Sequence, residues 1–255
     1  MHTAKLAASL LVLLALVLGA APARAETVNC THITALPAVI TVPGVYCLTG
    51  NLATPMTSGH AIDIQTNNVV LDLNGFILGG LAAGLGTTTD GVFASDRQNI
   101  TITNGTISGF ATAIRLQDSG ASQGHVVENI RAVQNRATGV FVQGTGNIVR
   151  NNQVVATGGT TTYGTNVGAT GIWVGGAGPR VLNNDVINTV KQGTGVARGI
   201  YFSGATGGLA VNNRITVADL GIGFSTVGGT GKYRDTLTFG VTTPFTGGTD
   251  AGNNN

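Results

Sequence analysis

Seven short segments of the chain share one pattern, small–apolar–x–apolar–x. They are AIDIQ from Ala61, GVFAS from Gly91, AIRLQ from Ala113, GVFVQ from Gly139, GIWVG from Gly171, GIYFS from Gly199 and GIGFS from Gly221. The second position is always Ile or Val, and the fourth is always apolar. This alternation predicts strands with one face buried and one turned out. A second signature follows six of the seven. It is a β-rich run ending in asparagine, at Asn74, Asn104, Asn129, Asn151, Asn183 and Asn212. From small residue to asparagine the offset is 13, 13, 16, 12, 12 and 13. From asparagine to the next small residue it is 17, 9, 10, 20, 16 and 9. One half of the repeat is nearly constant, and the other half takes insertions.

A coil of parallel strands produces such a pattern. Each turn lies on the one before at a spacing of about 4.8 Å. Insertions are tolerated only at turns that leave the coil. Equivalent asparagines stack, so the six are expected to form buried, hydrogen-bonded ladders. A propeller would repeat with a regular period of about 40 residues or more, and a sandwich would not align so many segments.

With these segments the chain resembles the right-handed parallel β-helices of the pectate-lyase-like superfamily. The resemblance covers roughly residues 58–226, and NITITNGTISGF is its most typical stretch. It implies an all-β, three-sheet right-handed parallel β-helix of about seven coils. It implies an asparagine ladder between the second and third sheets, and long loops after the third sheet that wall a cleft over the first. The small–apolar segments are then the first sheet. The wall loops are GGLAAGLGTTTD (79–90), TGGTTTYGTNVGA (157–169) and VKQGTGVAR (190–198).

The ends read differently. Residues 1–25 carry Lys5, an apolar run and Ala23-Arg24-Ala25, the layout of a secretory signal peptide. Residues 26–57 read as an N-terminal cap, 58–226 as the β-helix, and 227–255 as a C-terminal cap with a polar tail. Export predicts one disulfide between the only two cysteines, Cys30 and Cys47. Two buried free thiols are the alternative. Lys5 and Arg24 leave with the signal, so 11 of 13 basic residues face 11 acidic ones. A balance near zero argues against nucleic acid and anionic membrane as partners. With no second long apolar run, no membrane insertion is expected. A secreted or periplasmic monomer is the expectation.

Candidate chemistry lies in the outward columns of the first sheet. The third position reads Asp63, Phe93, Arg115, Phe141, Trp173, Tyr201 and Gly223. The fifth reads Gln65, Ser95, Gln117, Gln143, Gly175, Ser203 and Ser225. The position before the small residue reads His60, Asp90, Thr112, Thr138, Thr170, Arg198 and Leu220. Four half-exposed aromatics would show roughly 300–400 Å² of apolar surface. Its cover is either the inserted loops, whose Tyr163 and Val167 could pack down, or a sugar chain. Flat aromatic faces stack on pyranose rings, and Gln and Ser bond their hydroxyls. A polysaccharide is therefore the expected partner, with Phe93, Phe141, Trp173, Tyr201, Gln117, Gln143 and Arg198 as its binding set. A structural or adhesive solenoid, with the aromatics under its own loops, is the alternative.

Asp63, Asp90 and Arg115 are the candidate catalytic residues. Hydrolysis needs two carboxyls about 5–9.5 Å apart, which Asp63 and Asp90 permit without fixing. TDG at 89–91 resembles the first aspartate motif of the polygalacturonases. The adjacent Asp pair of that family is replaced here by Ala111 and Thr112, and its Gly-His-Gly is missing. β-Elimination needs a base and a neutralised uronate carboxylate. Arg115 is a base in the manner of pectate lyases, so lyase chemistry ranks above hydrolysis and C5 epimerisation. No cofactor is required, though Asp63 and Asp90 could hold a Ca²⁺ ion. Asp96 and Asp118 read as turn residues. His32, His60, His125 and Met56 are too scattered for a soft metal.

Overall fold

In a computed structural model the described residues are 29–162, 167–225 and 229–255. The signal-peptide reading and Tyr163 lie outside them. The described chain winds as a parallel β-solenoid, with almost every residue of a strand paired to its counterpart one turn on.

Among the described residues the first sheet contains nine rungs. Its strands are Ala38–Ile40, His60–Ile64, Asp90–Ser95, Thr112–Gln117, Thr138–Val142, Ala169–Ala177 and Ala197–Thr206, then the ends of Arg214–Phe224 and Leu237–Thr246. Seven of these are the small–apolar segments. One further rung is added at each end, by residues expected to act as caps. Residues 31–53 already wind in register: Thr31–Ile33 pairs with Gly44–Leu48, and Leu52–Ala53 with Ile77–Gly79, all parallel. At the far end Gly231–Arg234 and Thr249–Asp250 continue the second sheet. Cys30 and Cys47 form the expected disulfide, with Cα atoms 5.8 Å apart.

Alternation becomes burial in this winding. The second-position residues Ile62, Val92, Ile114, Val140, Ile172, Ile200 and Ile222 are fully buried. They share the core with the fourth-position column from Ile64 to Phe224. The small residues mark the corner where the third sheet turns into the first. A Cβ at Gly139 would lie 2.5 Å from both the Gly171 carbonyl oxygen and Val154 Cγ1. A larger residue there would force adjacent coils apart.

The asparagine signature also marks a corner, but its ladder is offset by one residue. Asn74, Asn104, Asn129, Asn151, Asn183 and Asn212 all adopt positive φ, between 49° and 59°. Asparagine tolerates this left-handed conformation better than most residues. In the later coils the inversion aims the aligned residue outward, and Asn129, Asn151, Asn183 and Asn212 are exposed. The next residue then faces in. Asn152, Asn184 and Asn213 form the buried ladder, with Nδ2-to-Oδ1 bonds of 3.0 and 3.1 Å from rung to rung. Each also donates to a buried-strand carbonyl, of Val127, Val149 and Val181 respectively. An exposed second ladder runs Asn212 to Asn183 to Asn151 outside it.

A polar stack also fills the corner between the first and second sheets. Asn147 Oδ1 accepts from His125 N–H, and His125 Nδ1 accepts from Ile100 N–H. His125 Nε2 is left to donate to Ser122 Oγ at 2.7 Å. His125 is buried, and that burial pushes its pKa down to about 4, against the opposing pull of Asp118.

Two predictions follow from these corners. Asn184→Ala strands the Asn152 amide and the Val149 carbonyl, so it should cost about 3 kcal/mol in denaturant unfolding. Asn183→Gly, which keeps the left-handed turn and loses only exposed bonds, should cost under about 1 kcal/mol. Equal losses would mean that the inner ladder has no special weight. For His125, the unfolded chain takes up the proton first as pH falls. The stability from its neutral form is complete above about pH 6.5 and is lost toward pH 4, about 3 kcal/mol in all. His125→Asn should flatten that fall in a pH series of denaturant melts.

Candidate functional site

The outward first-sheet columns are true columns. Asp63 pairs with Phe93, Phe93 with Arg115, Arg115 with Phe141, Phe141 with Trp173, Trp173 with Tyr201 and Tyr201 with Gly223. The neighbouring column runs in register from His60 and Asp90 to Arg198 and Leu220. All the sequence-predicted site residues therefore share one face.

The described parts of the three expected wall loops lie between the third sheet and the first, and they touch one another. Thr162 Oγ1 donates to the Gly86 carbonyl at 2.6 Å, and Thr161 N–H to that of Leu85. The loop before Ala169 thus reaches back over two intervening rungs to the loop before Asp90. Val167 and Gln192 exchange backbone bonds, which joins the loops before Ala169 and Ala197. Thr87, Thr88 and Thr89 donate through their hydroxyls to the carbonyls of Met56 and Thr57, anchoring the first loop. Past Tyr201 the face continues into an open groove of about 340 Å³, bordered by Lys191, Asp219, Leu220 and Thr243.

The polar end is a tight cluster. Asp90 is 4% exposed. His60 Nδ1 lies 3.3 Å from its Oδ2, and Arg115 Nε lies 3.7 Å from its Oδ1. The His60 ring stacks on Phe93 with centroids 3.8 Å apart and planes at 5°. Arg115 in turn lies over Phe141, 5.5 Å from its centroid. Asp63, in the same rung as His60, accepts a 2.7 Å bond from the Gln65 amide. Sequence reasoning placed His60 on this face but gave it no role. Its signal was the register partner Asp90, one rung on.

These contacts define the surroundings of the catalytic candidates. Both Asp90 oxygens face basic side chains, and Asp63 Oδ2 is engaged by Gln65. Arg115 faces the Asp90 carboxylate on one side and the Phe141 ring on another. Asp96 and Asp118 spend oxygens on backbone N–H groups of Ser119, Gly120 and Ser122. The Ser119 N–H holds the Asp96 carboxyl below the usual range. Among the described residues one group of three metal-ligating side chains comes together, Cys30, His32 and Cys47, and its thiols are consumed by the disulfide.

The aromatic end is less open than expected. Phe141 is only 6% exposed, because Arg115 lies across its face and Trp173 meets it edge-on at 4.2 Å and 81°. Phe93, Trp173 and Tyr201 are half-buried, so they are the rings a ligand would meet. Arg198 Cζ sits 4.9 Å above the Tyr201 ring. The indole Nε1 of Trp173 is buried, with no hydrogen-bond partner among the described residues. Gln117, Gln143 and Ser203 flank the rings, half-buried.

Comparison with known proteins agrees on architecture. A family model described as "Right handed beta helix region" matches residues 90–233. No curated protein matches the chain. Among solved structures, the enzymatically active domain of bacteriophage CBA120 tailspike protein 2 is similar at 14% identity and a TM-score of 0.46. That match covers 87% of this chain and 38% of the other. The catalytic domain of a GH87 alpha-1,3-glucanase in complex with nigerose is similar at 12% identity and a TM-score of 0.41. It covers 88% of this chain and 63% of the other. The chain thus spans only part of either.

Phe141 supports two neighbours at once. Phe141→Ala should cost about 3 kcal/mol in chemical denaturation and red-shift Trp173 emission as the indole loses its floor. Tyr201→Ala, at the more open end, should cost under about 1.5 kcal/mol and leave the emission in place. A Phe141→Ala variant with unchanged stability and emission would show that the ring is not that floor.

Proposed function

The chain belongs to the right-handed β-helix family, and on that premise we propose that it is an exported protein whose first-sheet face binds a polysaccharide. One observation carries the reading. Trp173 and Tyr201 are register partners, both half-buried, with Gln143 and Ser203 beside them. Phe93, also half-buried, lies three rungs before Trp173, with its ring stacked on His60.

Rings one rung apart sit about 4.8 Å from each other. They offer an extended apolar strip, to which the C–H faces of successive sugars can fit. Flanking amides and hydroxyls supply donors and acceptors for the ring hydroxyls. The linked loops make one side of a trough, which suits a chain better than a small compact ligand. Export rests on the signal-like residues 1–25 and on the disulfide, which persists in oxidising compartments. Among the described residues no helix is long and apolar enough to cross a membrane.

A structural or adhesive solenoid is the second reading, and the burial of Phe141 favours it. Fluorescence separates the two, because Trp173 is the single tryptophan. Titration with a panel of acidic and neutral polysaccharides should give a saturable emission shift with one sugar class. Trp173→Phe abolishes the signal, so binding is followed in parallel by calorimetry. There Tyr201→Ala should weaken affinity about tenfold, equivalent to roughly 1.4 kcal/mol. Emission and heats unmoved by every sugar would transfer the assignment to the solenoid reading.

A further inference from the structure

We propose that the disulfide of the first coil gates a metal site: once it is reduced, Cys30, His32 and Cys47 bind Zn²⁺ through two thiolates and an imidazole. The site lies at the N-terminal end of the solenoid, and it does not depend on what the first-sheet face binds.

The β-ladder assembles the three ligands. His32 and Cys47 are register partners where Thr31–Ile33 pairs with Gly44–Leu48. Cys30 immediately precedes the first of these strands, two residues from His32. The two sulfurs and a ring nitrogen of His32 all lie within 4.8 Å of one another. A tetrahedral zinc site asks for ligand atoms about 3.5–3.8 Å apart, from a Zn–S bond of about 2.3 Å and a Zn–N bond of about 2.0 Å. Side-chain rotation covers the difference. The strands themselves stay in place, because Ile33 and Leu48, next in register, are buried in the core and hold the pairing when the S–S bond opens.

The chemistry of the set selects the ion. A disulfide that only staples two coils has no use for an imidazole beside its sulfurs. Two thiolates and an imidazole are ordinary zinc ligands, and hard oxygen-seeking ions such as Ca²⁺ and Mg²⁺ are poorly served by them. Three protein ligands leave a fourth position. His32 is exposed and borders an open groove of about 280 Å³ with Thr34 and Tyr46, which gives water or a small ligand access to the site. Asp72, the register partner of Cys47 one rung on, lies outside the group. Its Oδ1 accepts from the Asn74 N–H and from the Asn104 amide.

Opening the site is a thiol–disulfide exchange with a protein dithiol as the reductant. Cys47 is 1% exposed and Cys30 is partly exposed, so attack falls on the Cys30 sulfur. One thiolate of the reductant bonds to that sulfur, and the Cys30–Cys47 bond breaks with its pair on the Cys47 sulfur. The second thiolate of the reductant then displaces Cys30, and the reductant leaves as its own disulfide. Two electrons have passed to the chain. Zn²⁺ takes the resulting pair as thiolates, and their protons go to solvent. Exchange with an oxidised dithiol of the same class runs the sequence backward and releases the ion.

The test uses the full chain, either oxidised or reduced with a phosphine under anaerobic conditions, titrated with Co²⁺ and then with Zn²⁺. Reduced protein should show the thiolate-to-cobalt ultraviolet band and the visible bands of a tetrahedral site, and Zn²⁺ should bleach both. Oxidised protein should bind neither ion. His32→Ala should weaken Zn²⁺ binding at least about tenfold against a competing chelator dye, since even the outer partners of a metal ligand are worth that much. His32 is exposed, so this variant leaves the fold intact. Cys30→Ser should remove the tetrahedral cobalt spectrum. Melting curves give a second reading: Zn²⁺ should raise the Tm of the reduced protein and leave that of the oxidised protein unchanged. Reduced protein that binds no Co²⁺, or binds it with the weak bands of an octahedral, sulfur-free site, overturns the proposal. Zn²⁺ affinity unmoved by His32→Ala overturns the three-ligand set, and equal binding by oxidised protein overturns the gating.

Discussion

Every feature of this molecule depends on the parallel, in-register hydrogen bonding of one coil to the next. That ladder fixes the separation of equivalent residues at about 4.8 Å. A residue's neighbours are therefore set by its position in the repeat, one turn back and one turn on. Apolar positions become core columns from Ile62 to Ile222. Small positions become a corner where Gly139 and Gly171 admit the backbone of the next turn. Buried polar residues meet the same residue type above and below, so their bonding groups are satisfied along the axis. The Asn152–Asn184–Asn213 ladder is this principle applied to an amide, which carries donor and acceptor together.

The same spacing disciplines charge. Like charges stacked at every rung would repel, so opposite charges alternate along the outward columns. Glu128 meets Arg150 one rung on, and Asp185 meets Arg214. On the first-sheet face the sequence His60, Asp90, Arg115 follows this rule across three rungs, with a difference. The Glu128 and Asp185 pairs are largely exposed and worth little. Asp90 is enclosed by the anchored loop and by the ring stack beneath His60. Burial without a partner would be costly, so the carboxylate constrains both of its basic neighbours. A general feature of the coil becomes, at one buried point, a rigid arrangement of ionisable groups.

How much of this could be read from the chain follows from the range of each effect. Alternation is local, so the seven first-sheet rungs and their inward columns were legible. Stacking in register extended them into outward columns, and the loop positions followed from where insertions are tolerated. The asparagine ladder was legible only to within one residue. The left-handed conformation at Asn151, Asn183 and Asn212 rotates those side chains out, and no spacing rule reveals that rotation. The terminal rungs escaped because Ala38-Val39-Ile40 and Pro244-Phe245-Thr246 lack the small–apolar signature. The burial of Phe141 and the His60–Asp90 contact depend on side-chain reach between rungs. So does the bond from Thr162 to Gly86, which spans 76 residues of sequence.

The polarity of the face also has a structural logic. Aromatic rings stacked along a column shield one another, and each added ring leaves less surface for solvent or ligand. Phe141 shows the limit, covered by Arg115 on one side and Trp173 on the other. A column of rings alone would close over itself and become a second core. Gly223 ends the series beyond Tyr201, with Leu220 filling the space its side chain would take. Arg115 interrupts it between Phe93 and Phe141. The interruption keeps Phe93 apart from the other rings and leaves it to support His60. One guanidinium therefore divides the face into an aromatic strip from Phe141 to Tyr201 and a polar corner around Asp90, and the coil spacing keeps the two a few rungs apart.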